Sequence, residues 1–276
     1  MPIDPRVIPA LTALARVLGA DNRDFVLIGA TVPQILLRVR QGGEASARAT
    51  RDVDALVAAG SWEDFERTRR RLFEVGFGPG TVRHELLFGQ DVIIDLIPYG
   101  EQLVQNDRLE WPGTDQVMST LGVEEAFASA RLEELVPGLS VRVVPIPGLV
   151  LLKIVSYQDR PEERARDLSD VVYCFEHYEE DIVQSRRFDL VGVDVIGEPV
   201  EFEEAGAYLL GTEVARLASP RSLLAARRLI DMIPDEYSRP ISQILREERR
   251  MINNEGRRTE LFRLFQVFAA GLSGGG

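Results

Sequence analysis

Short apolar runs separated by amphipathic segments fill the first half of the chain. FVLIG at 25–29 is continuously apolar, as in a buried strand, and DVDALVA at 52–58 is strand-like. Two more strands are predicted around 81–100, joined by a Gly-Gln turn, and a strand or extended arm over 140–146. The predicted helices of this half are 5–19, 31–40, 61–76 and 122–131; 41–50 and the stretch leading to Pro112 are predicted loops.

From Pro147 onward the apolar spacing is helical. The predicted helices there are 147–158, 162–178, 201–216, 219–231, 237–252 and 258–270. Sheet-forming runs followed by helices predict an α+β protein, in which a mixed sheet with flanking helices precedes an α-helical domain. We expect a core over 1–132, a helical domain over 133–270 and a flexible tail, GLSGGG, over 271–276.

Composition narrows the classes of function. The chain has 276 residues, is 45% hydrophobic and carries a net charge of −12, whereas proteins that coat duplex DNA are usually basic. It contains no apolar run of about 18 residues, so we expect no membrane span and no membrane partner. We also expect no signal peptide, and the single cysteine, Cys174, is typical of a reducing cytoplasm.

The segment RATRDVDALVAAG places two aspartates at the start of an apolar strand. Asp52 and Asp54 are at i and i+2, so their carboxylates share one face with Cα atoms about 6.5 Å apart. A divalent cation such as Mg²⁺ would balance them, and Asp95 in VIIDLIP would add a third carboxylate if its strand is adjacent. The alternatives are that Asp52 caps a strand end or pairs with Arg51, and that Asp95 pairs with an arginine.

Two other features bear on phosphate chemistry. Gly29 ends a strand and precedes a helix, whose first N–H groups could bind phosphate. Lys153 is the single lysine among 32 basic residues. Its ammonium group is a compact point charge, whereas the guanidinium group of arginine is planar and its charge is delocalised.

On these residues the chain resembles the nucleotidyltransferase superfamily of polymerase-β-like fold, and within it the AbiEii/AbiGii-type branch. The matching segments are LIGATVPQILL, RATRDVDALV and VIIDLIPYG, followed by PIPGLVLLKIVSYQDRPEERARDLSDV. The branch has a lysine on a helix and then a basic-D-x-x-D segment, which here are Lys153 and the run Arg166–Asp170. The resemblance covers about residues 20–180. The branch includes toxins of toxin–antitoxin systems, and the resemblance to it implies a nucleotidyltransferase-fold sheet.

The resemblance implies roles for these residues. Asp52, Asp54 and Asp95 would hold Mg²⁺ or Mn²⁺ and act in nucleotidyl transfer from an NTP, with Lys153 neutralising phosphate charge. Asp167 and Asp170 would position Lys153 or contact nucleotide and acceptor; their alternative is salt bridging to Arg164 and Arg166. The nucleotide-binding set is Gly29, Ala30, Thr31, Arg51, Asp167 and Asp170.

One departure and several open choices remain. Ala30 stands where the family has Ser or Gly, so the hydroxyl is missing there unless Thr31 supplies one. The acceptor is open between a tRNA 3′ end, a protein hydroxyl and a small molecule such as an aminoglycoside. An antitoxin is the partner protein that the resemblance implies. The rival hypothesis is a catalytically degenerate module that keeps the fold for binding or regulation.

Overall fold

The computed structural model describes residues 3–20, 24–37, 51–180, 185–248 and 254–274. The predicted loop over 41–50 lies outside these residues. The chain divides into two compact units, Met1–Pro145 and Ile146–Gly276. None of the described helices is both long and apolar enough to cross a bilayer.

The first unit is built on a seven-stranded mixed sheet. The strands lie in the order β3-β4-β5-β2-β1-β10-β9, and β6, β7 and β8 form a separate three-stranded sheet. In chain order the strands are β1 Phe25–Ile28, β2 Asp52–Ala58, β3 Phe77–Pro79, β4 Glu85–Phe88, β5 Val92–Tyr99, β6 Val104–Gln105, β7 Arg108–Glu110, β8 Val117–Ser119, β9 Arg131–Val136 and β10 Leu139–Val143. The helices are α1 Val7–Ala20, α2 Thr31–Leu36, α3 Trp62–Glu74 and α4 Val123–Ser129.

Local sequence explains the framework around β2. Ser61 caps α3 by accepting a hydrogen bond from Asp64 N at 3.1 Å, which ends the strand and starts the helix. β1 runs antiparallel to β2, and β5 runs parallel to it on the other side. One face of β5 is buried at alternate positions, from Val92 to Pro98, and the other face is half-buried. At β5 the sheet therefore packs one face into the core and leaves the other face half-buried, whereas Val26 of β1 and Leu56 of β2 on that second face are buried.

The second unit is helical. Its helices are α5 Ile146–Asp159, α6 Ala165–His177, α7 Phe202–Leu217, α8 Pro220–Asp231, α9 Arg239–Glu247 and α10 Glu255–Gly274, with a short 3₁₀ helix over Arg186–Asp189. Phe175 of α6 packs against Phe265 and Phe268 of α10, with ring centroids 5.5 Å and 4.8 Å away. α7 and α10 cross closely because Gly211 and Gly271 have no Cβ; one added at Gly271 would overlap Tyr208 O. The helical character predicted from Pro147 onward is confirmed.

Three sequence predictions differ from the structure. The first unit extends to Pro145, beyond the expected boundary at 132, because β10 pairs with β1 inside the sheet and β9 pairs with β10. Residues 271–274 belong to α10, where Gly271 and Leu272 are buried, so the predicted flexible tail is wrong for them. The stretch before Pro112 contains β6 and β7, which were predicted as loop.

Candidate functional site

The register of β2 and β5 brings two predicted carboxylates together. Asp54 lies directly opposite Asp95 in this parallel pair, and both side chains are half-buried. Asp52, two residues before Asp54, is exposed and shares the same face, opposite Ile93. The three acids predicted from sequence therefore lie on one partly open face of the sheet.

Gly29 directly follows β1 and lies against the side chain of Asp54. Its φ is +79°, in the left-handed region, and a Cβ built there would lie 2.6 Å from Asp54 Cγ. The Asp54 carboxylate thus occupies the space that any larger residue at 29 would fill. This close approach explains why a glycine occupies this position of the LIGAT segment, because a side chain here would displace the Asp54 carboxylate.

The turn after Gly29 is tight and leads into a short helix. α2 spans six residues, Thr31–Leu36, and the predicted continuation over 38–40 lies outside the described residues. Ala30 at its N-cap makes no side-chain capping bond, as expected of a residue without a hydroxyl. Thr31 is 2% exposed, and its Oγ1 is buried without a hydrogen-bond partner in the described part of the chain.

Arg51, which directly precedes β2, forms an ion pair with Asp91. Its Nη1 lies 2.9 Å from Asp91 Oδ2, and Asp91 is also 3.5 Å from Arg6 Nη1. Arg6 in turn binds Asp4, and this guanidinium lowers the pKa of Asp4 to about 2. Arg51 belongs to this surface ion-pair chain, with its side chain 42% exposed.

Carboxylates are oxygen donors that Mg²⁺ accepts, so Asp52, Asp54 and Asp95 are the residues that would hold such an ion. Among the described residues, no group of three or more His, Cys, Asp and Glu side chains is arranged to hold a metal ion. Mg²⁺, however, commonly takes only one or two carboxylates and completes its shell with phosphate and water. The oxygen donors of Asp52 and Asp54, with Asp95 opposite Asp54, fit such a partial shell. A protein-only site made by all three acids is not formed.

A second cluster lies within the helical unit. Lys153 Nζ of α5 is 2.7 Å from Asp167 Oδ1 and 2.7 Å from Asp170 Oδ2, both on α6. The i,i+3 spacing puts the two aspartates on one face of α6, as predicted. Arg166, which was one alternative partner for these aspartates, instead pairs with Glu247, with Arg166 Nε 3.6 Å from Glu247 Oε2. The structure thus brings Lys153, Asp167 and Asp170 together, and this Lys153 cluster carries one ammonium against two carboxylates.

The Lys153 cluster is largely withdrawn from solvent. The side chains of Lys153 and Asp167 are 15% and 8% exposed, and Asp167 Oδ2 is buried with no hydrogen-bond partner in the described ranges. Burial raises the pKa of the Cys174 thiol, and the charge of Asp170 adds to that shift. Cys174 is therefore a packing residue.

One acid of the sheet was missed by the sequence analysis. Glu85 of β4 lies opposite Asp95 on the side away from Asp54, so a row of three carboxylates crosses β2, β5 and β4. Its carboxylate accepts hydrogen bonds from Thr81 N and Thr81 Oγ1 at 2.7 Å and 2.6 Å, which lower the pKa of Glu85. Glu85 is thereby tied to its own turn. Counting across the predicted hairpin of β4 and β5 would have placed Glu85 opposite Asp95, so the signal was present in the sequence.

Comparison with known proteins adds family information. The model of the family described as nucleotidyl transferase AbiEii toxin, type IV TA system, matches residues 12–250. No curated protein matches. An antigenic nucleotidyltransferase-like protein from Paracoccidioides brasiliensis, known from a crystal structure, is 17% identical with a TM-score of 0.41, over 62% of this chain and 76% of that chain.

Proposed function

The chain belongs to the AbiEii nucleotidyl transferase toxin family of type IV toxin–antitoxin systems, and we propose a specific reaction for it. It transfers a nucleoside monophosphate from an NTP to a hydroxyl acceptor, with release of pyrophosphate. The observation that carries this proposal is the register that sets Asp54 opposite Asp95 on a partly open sheet face. Gly29, pressed against Asp54, supports it.

The acids divide into two tasks in this proposal. Asp52 and Asp54 hold Mg²⁺ or Mn²⁺, which when bound supplies positive charge against the phosphates of the NTP. Asp95 accepts the proton of the acceptor hydroxyl as its oxygen attacks the α-phosphate. Each task needs an ionised carboxylate on the same face, and the pairing of β2 with β5 supplies that arrangement.

The proposal extends to the Lys153 cluster on one ground, that the resemblance to the family implies a lysine that acts on phosphate. Asp167 and Asp170 fix the ammonium at 2.7 Å from each, so its direction is set before any substrate binds. A preoriented cation can stabilise negative charge on phosphate without reorganising during the reaction. The proposal makes Lys153 that cation and makes the two aspartates its positioning residues.

The acceptor is the least constrained part of the proposal. The acceptor that we test first is an RNA 3′ hydroxyl, with a tRNA end as its first candidate. A protein hydroxyl and a small molecule are the alternatives. The toxin–antitoxin family also implies an antitoxin as a partner.

The decisive experiment is transfer of label from each of the four α-³²P NTPs in the presence of Mg²⁺ and total tRNA or lysate. We expect Asp54→Asn to lower labelling by about 100-fold or more, because the isosteric amide removes a charge used in the transition state. The matched control is Asp115→Asn, since Asp115 is an exposed aspartate of the same unit.

The result separates the enzyme from its rival. Equal labelling by wild type and Asp54→Asn would reject the acidic pair as the site. If the wild-type protein binds NTP with Mg²⁺ but labels no species, the chain is a binding module that has kept the fold. If expression is toxic, relief by Asp54→Ala would connect that toxicity to the same carboxylate.

A further inference from the structure

A half-buried apolar strip continues the carboxylate face beyond Asp95. Ile97 and Tyr99 follow Asp95 at i+2 and i+4 of β5, so they share its face, while Leu96 and Pro98 point to the core. The Cα atoms of Asp95 and Tyr99 are separated by about 13 Å at the usual rise per strand residue. The carboxylate face therefore continues into an apolar strip, in which Ile97 lies opposite the buried Leu56 and Tyr99 lies opposite Ala58.

Tyr99 is held in an aromatic row on this face. The ring of Phe127 in α4 lies 5.2 Å from the Tyr99 ring, at an interplanar angle of 35°. Arg142 of β10 stacks on Phe127 at 5.0 Å and donates from Nη2 to Phe127 O at 2.7 Å. Arg142 also pairs with Asp24 at 3.2 Å. These contacts fix Phe127, so the Tyr99 ring is backed by a second ring that cannot easily move.

The charges around Tyr99 indicate which part of a nucleotide would lie there. Burial raises the pKa of Tyr99, and the charges of Glu124, Glu101 and Glu125 raise it further. The hydroxyl is thus a protonated donor at neutral pH, and the acidic surroundings disfavour phosphate. A ligand group placed against Tyr99 would be uncharged and planar.

The groups on this face occur in a linear order. β1 runs antiparallel to β2 with Ile28 opposite Asp54, so Gly29 lies toward the Asp52 end of β2. Asp54 and Asp95 come next, and Tyr99, opposite Ala58, lies at the far end. Phosphates at the Gly29 end would leave the base of the same nucleotide directed toward Tyr99.

We propose that Tyr99, backed by Phe127, is the stacking platform for a nucleobase whose phosphates face the Asp54–Asp95 pair. The inference rests on the proposed nucleotidyl transfer and adds to it the site that holds the base. The base belongs either to the NTP or to the terminal nucleotide of an RNA acceptor. Stacking on an aromatic side chain tolerates every base, because each has a π face.

The test is calorimetric binding to Tyr99→Leu, Tyr99→Phe and the wild type in the presence of Mg²⁺. The probes are the four NTPs, inorganic triphosphate, and a short single-stranded RNA that ends in CCA. We expect Tyr99→Leu to weaken at least one base-containing probe by about 5- to 100-fold, with triphosphate unchanged and Tyr99→Phe close to wild type. Tyr237→Leu, at an exposed tyrosine of the helical unit, is the matched control.

The outcomes identify the source of the base. If Tyr99→Leu loses affinity for NTP but still binds the RNA, the platform holds the base of the NTP. If it loses affinity for the RNA but still binds NTP, the platform holds the terminal base of the acceptor. Unchanged binding of every probe overturns the platform, while loss of labelling in Asp54→Asn would still support the proposed function. If the wild type binds no NTP and labels nothing, both proposals fail. Should Tyr99→Leu not fold, Phe127→Leu, which removes the backing ring, is subject to the same criteria.

Discussion

At the scale of single residues, Gly29 is the position where backbone conformation and chemistry meet. Its φ of +79° strains any residue with a Cβ, and the Asp54 carboxylate occupies the space beside it. Gly138 has a φ of +85° with nothing within 4 Å of a built Cβ. Comparing the same substitution at the two glycines therefore distinguishes the cost of backbone strain from the effect of displacing Asp54.

We predict that Gly29→Ala abolishes NTP-dependent labelling and lowers the free energy of unfolding by about 2 kcal/mol or more. Gly138→Ala should cost about 1–2 kcal/mol from strain alone and keep wild-type labelling. Urea denaturation and the labelling assay measure the two effects. Full activity in Gly29→Ala would show that the position of Asp54 is not critical.

Lys153 is the second residue whose replacement distinguishes structure from chemistry. We predict that Lys153→Met lowers labelling by about 100-fold or more, because a preoriented cation is lost. It should also lower stability by about 3–5 kcal/mol, since the buried Asp167 and the neighbouring Asp170 would then face each other uncompensated.

A triple variant separates the two effects of Lys153. Lys153→Met with Asp167→Asn and Asp170→Asn removes the charge conflict, so unfolding by urea should return toward the wild-type value. Labelling should stay low if the ammonium acts on the substrate. Recovery of labelling along with stability would instead make the Lys153 cluster a purely structural ion pair.

At the scale of elements, the end of α6 is held by one buried guanidinium. Arg187 is 1% exposed and donates to the carbonyl oxygens of Phe175, Glu176, Tyr178 and Phe202, at 2.7–3.1 Å. Three of those carbonyls lie at the C-terminus of α6, where a helix leaves acceptors unsatisfied. Burial lowers the pKa of Arg187. Binding four carbonyl oxygens requires the several N–H donors of a planar guanidinium group, which only arginine has.

We predict that Arg187→Lys destabilises the protein by about 3 kcal/mol or more, because an ammonium cannot reach all four carbonyls and leaves buried acceptors unpaired. The neighbouring Arg186 is 44% exposed and pairs with Glu179 and Glu213. Arg186→Lys should cost less than about 1 kcal/mol. Chemical denaturation of both variants tests the contrast, and similar losses would refute it.

Elements with strong local patterns were predictable, and elements fixed by distant pairing were not. β2 was predicted with its observed bounds, because its apolar run is continuous and Ser61 marks the start of α3. β9, RLEELV, is a mostly exposed edge strand with too few apolar residues to be recognised. The two units divide after Pro145 rather than at 132, because β10 pairs with β1, more than a hundred residues earlier.

The same distinction applies to the candidate site. Sequence spacing placed Asp52 and Asp54 on one face, and the i,i+3 rule placed Asp167 and Asp170 on one face of α6. That Asp95 lies opposite Asp54 depends on strand order, which no local pattern determines. Tyr99 could have been found by counting i+4 from Asp95. Its ring partner Phe127 lies on α4, and Arg142, which contacts Phe127, lies on β10, so this row is assembled only by the folded chain.

At the scale of the whole molecule, net charge determines how a nucleotide would bind. At −12 the protein repels a polyanion at long range, so NTP affinity must come from local positive charge. The carboxylates on the sheet face repel phosphate, so in the proposed reaction they would bind it only through a divalent cation. We therefore expect NTP and Mg²⁺ to bind together, with neither effective alone.

Thermal unfolding measures this coupling. A ligand at about 100 times its Kd stabilises the folded state by about 2.7 kcal/mol, which for a chain of this size raises the Tm by several degrees. We predict such a rise with NTP and Mg²⁺ together, its loss in Asp52→Asn/Asp54→Asn, and its retention in Asp115→Asn. An equal rise with NTP plus EDTA would show that binding does not use the carboxylates, because without a cation these acids would oppose the phosphates.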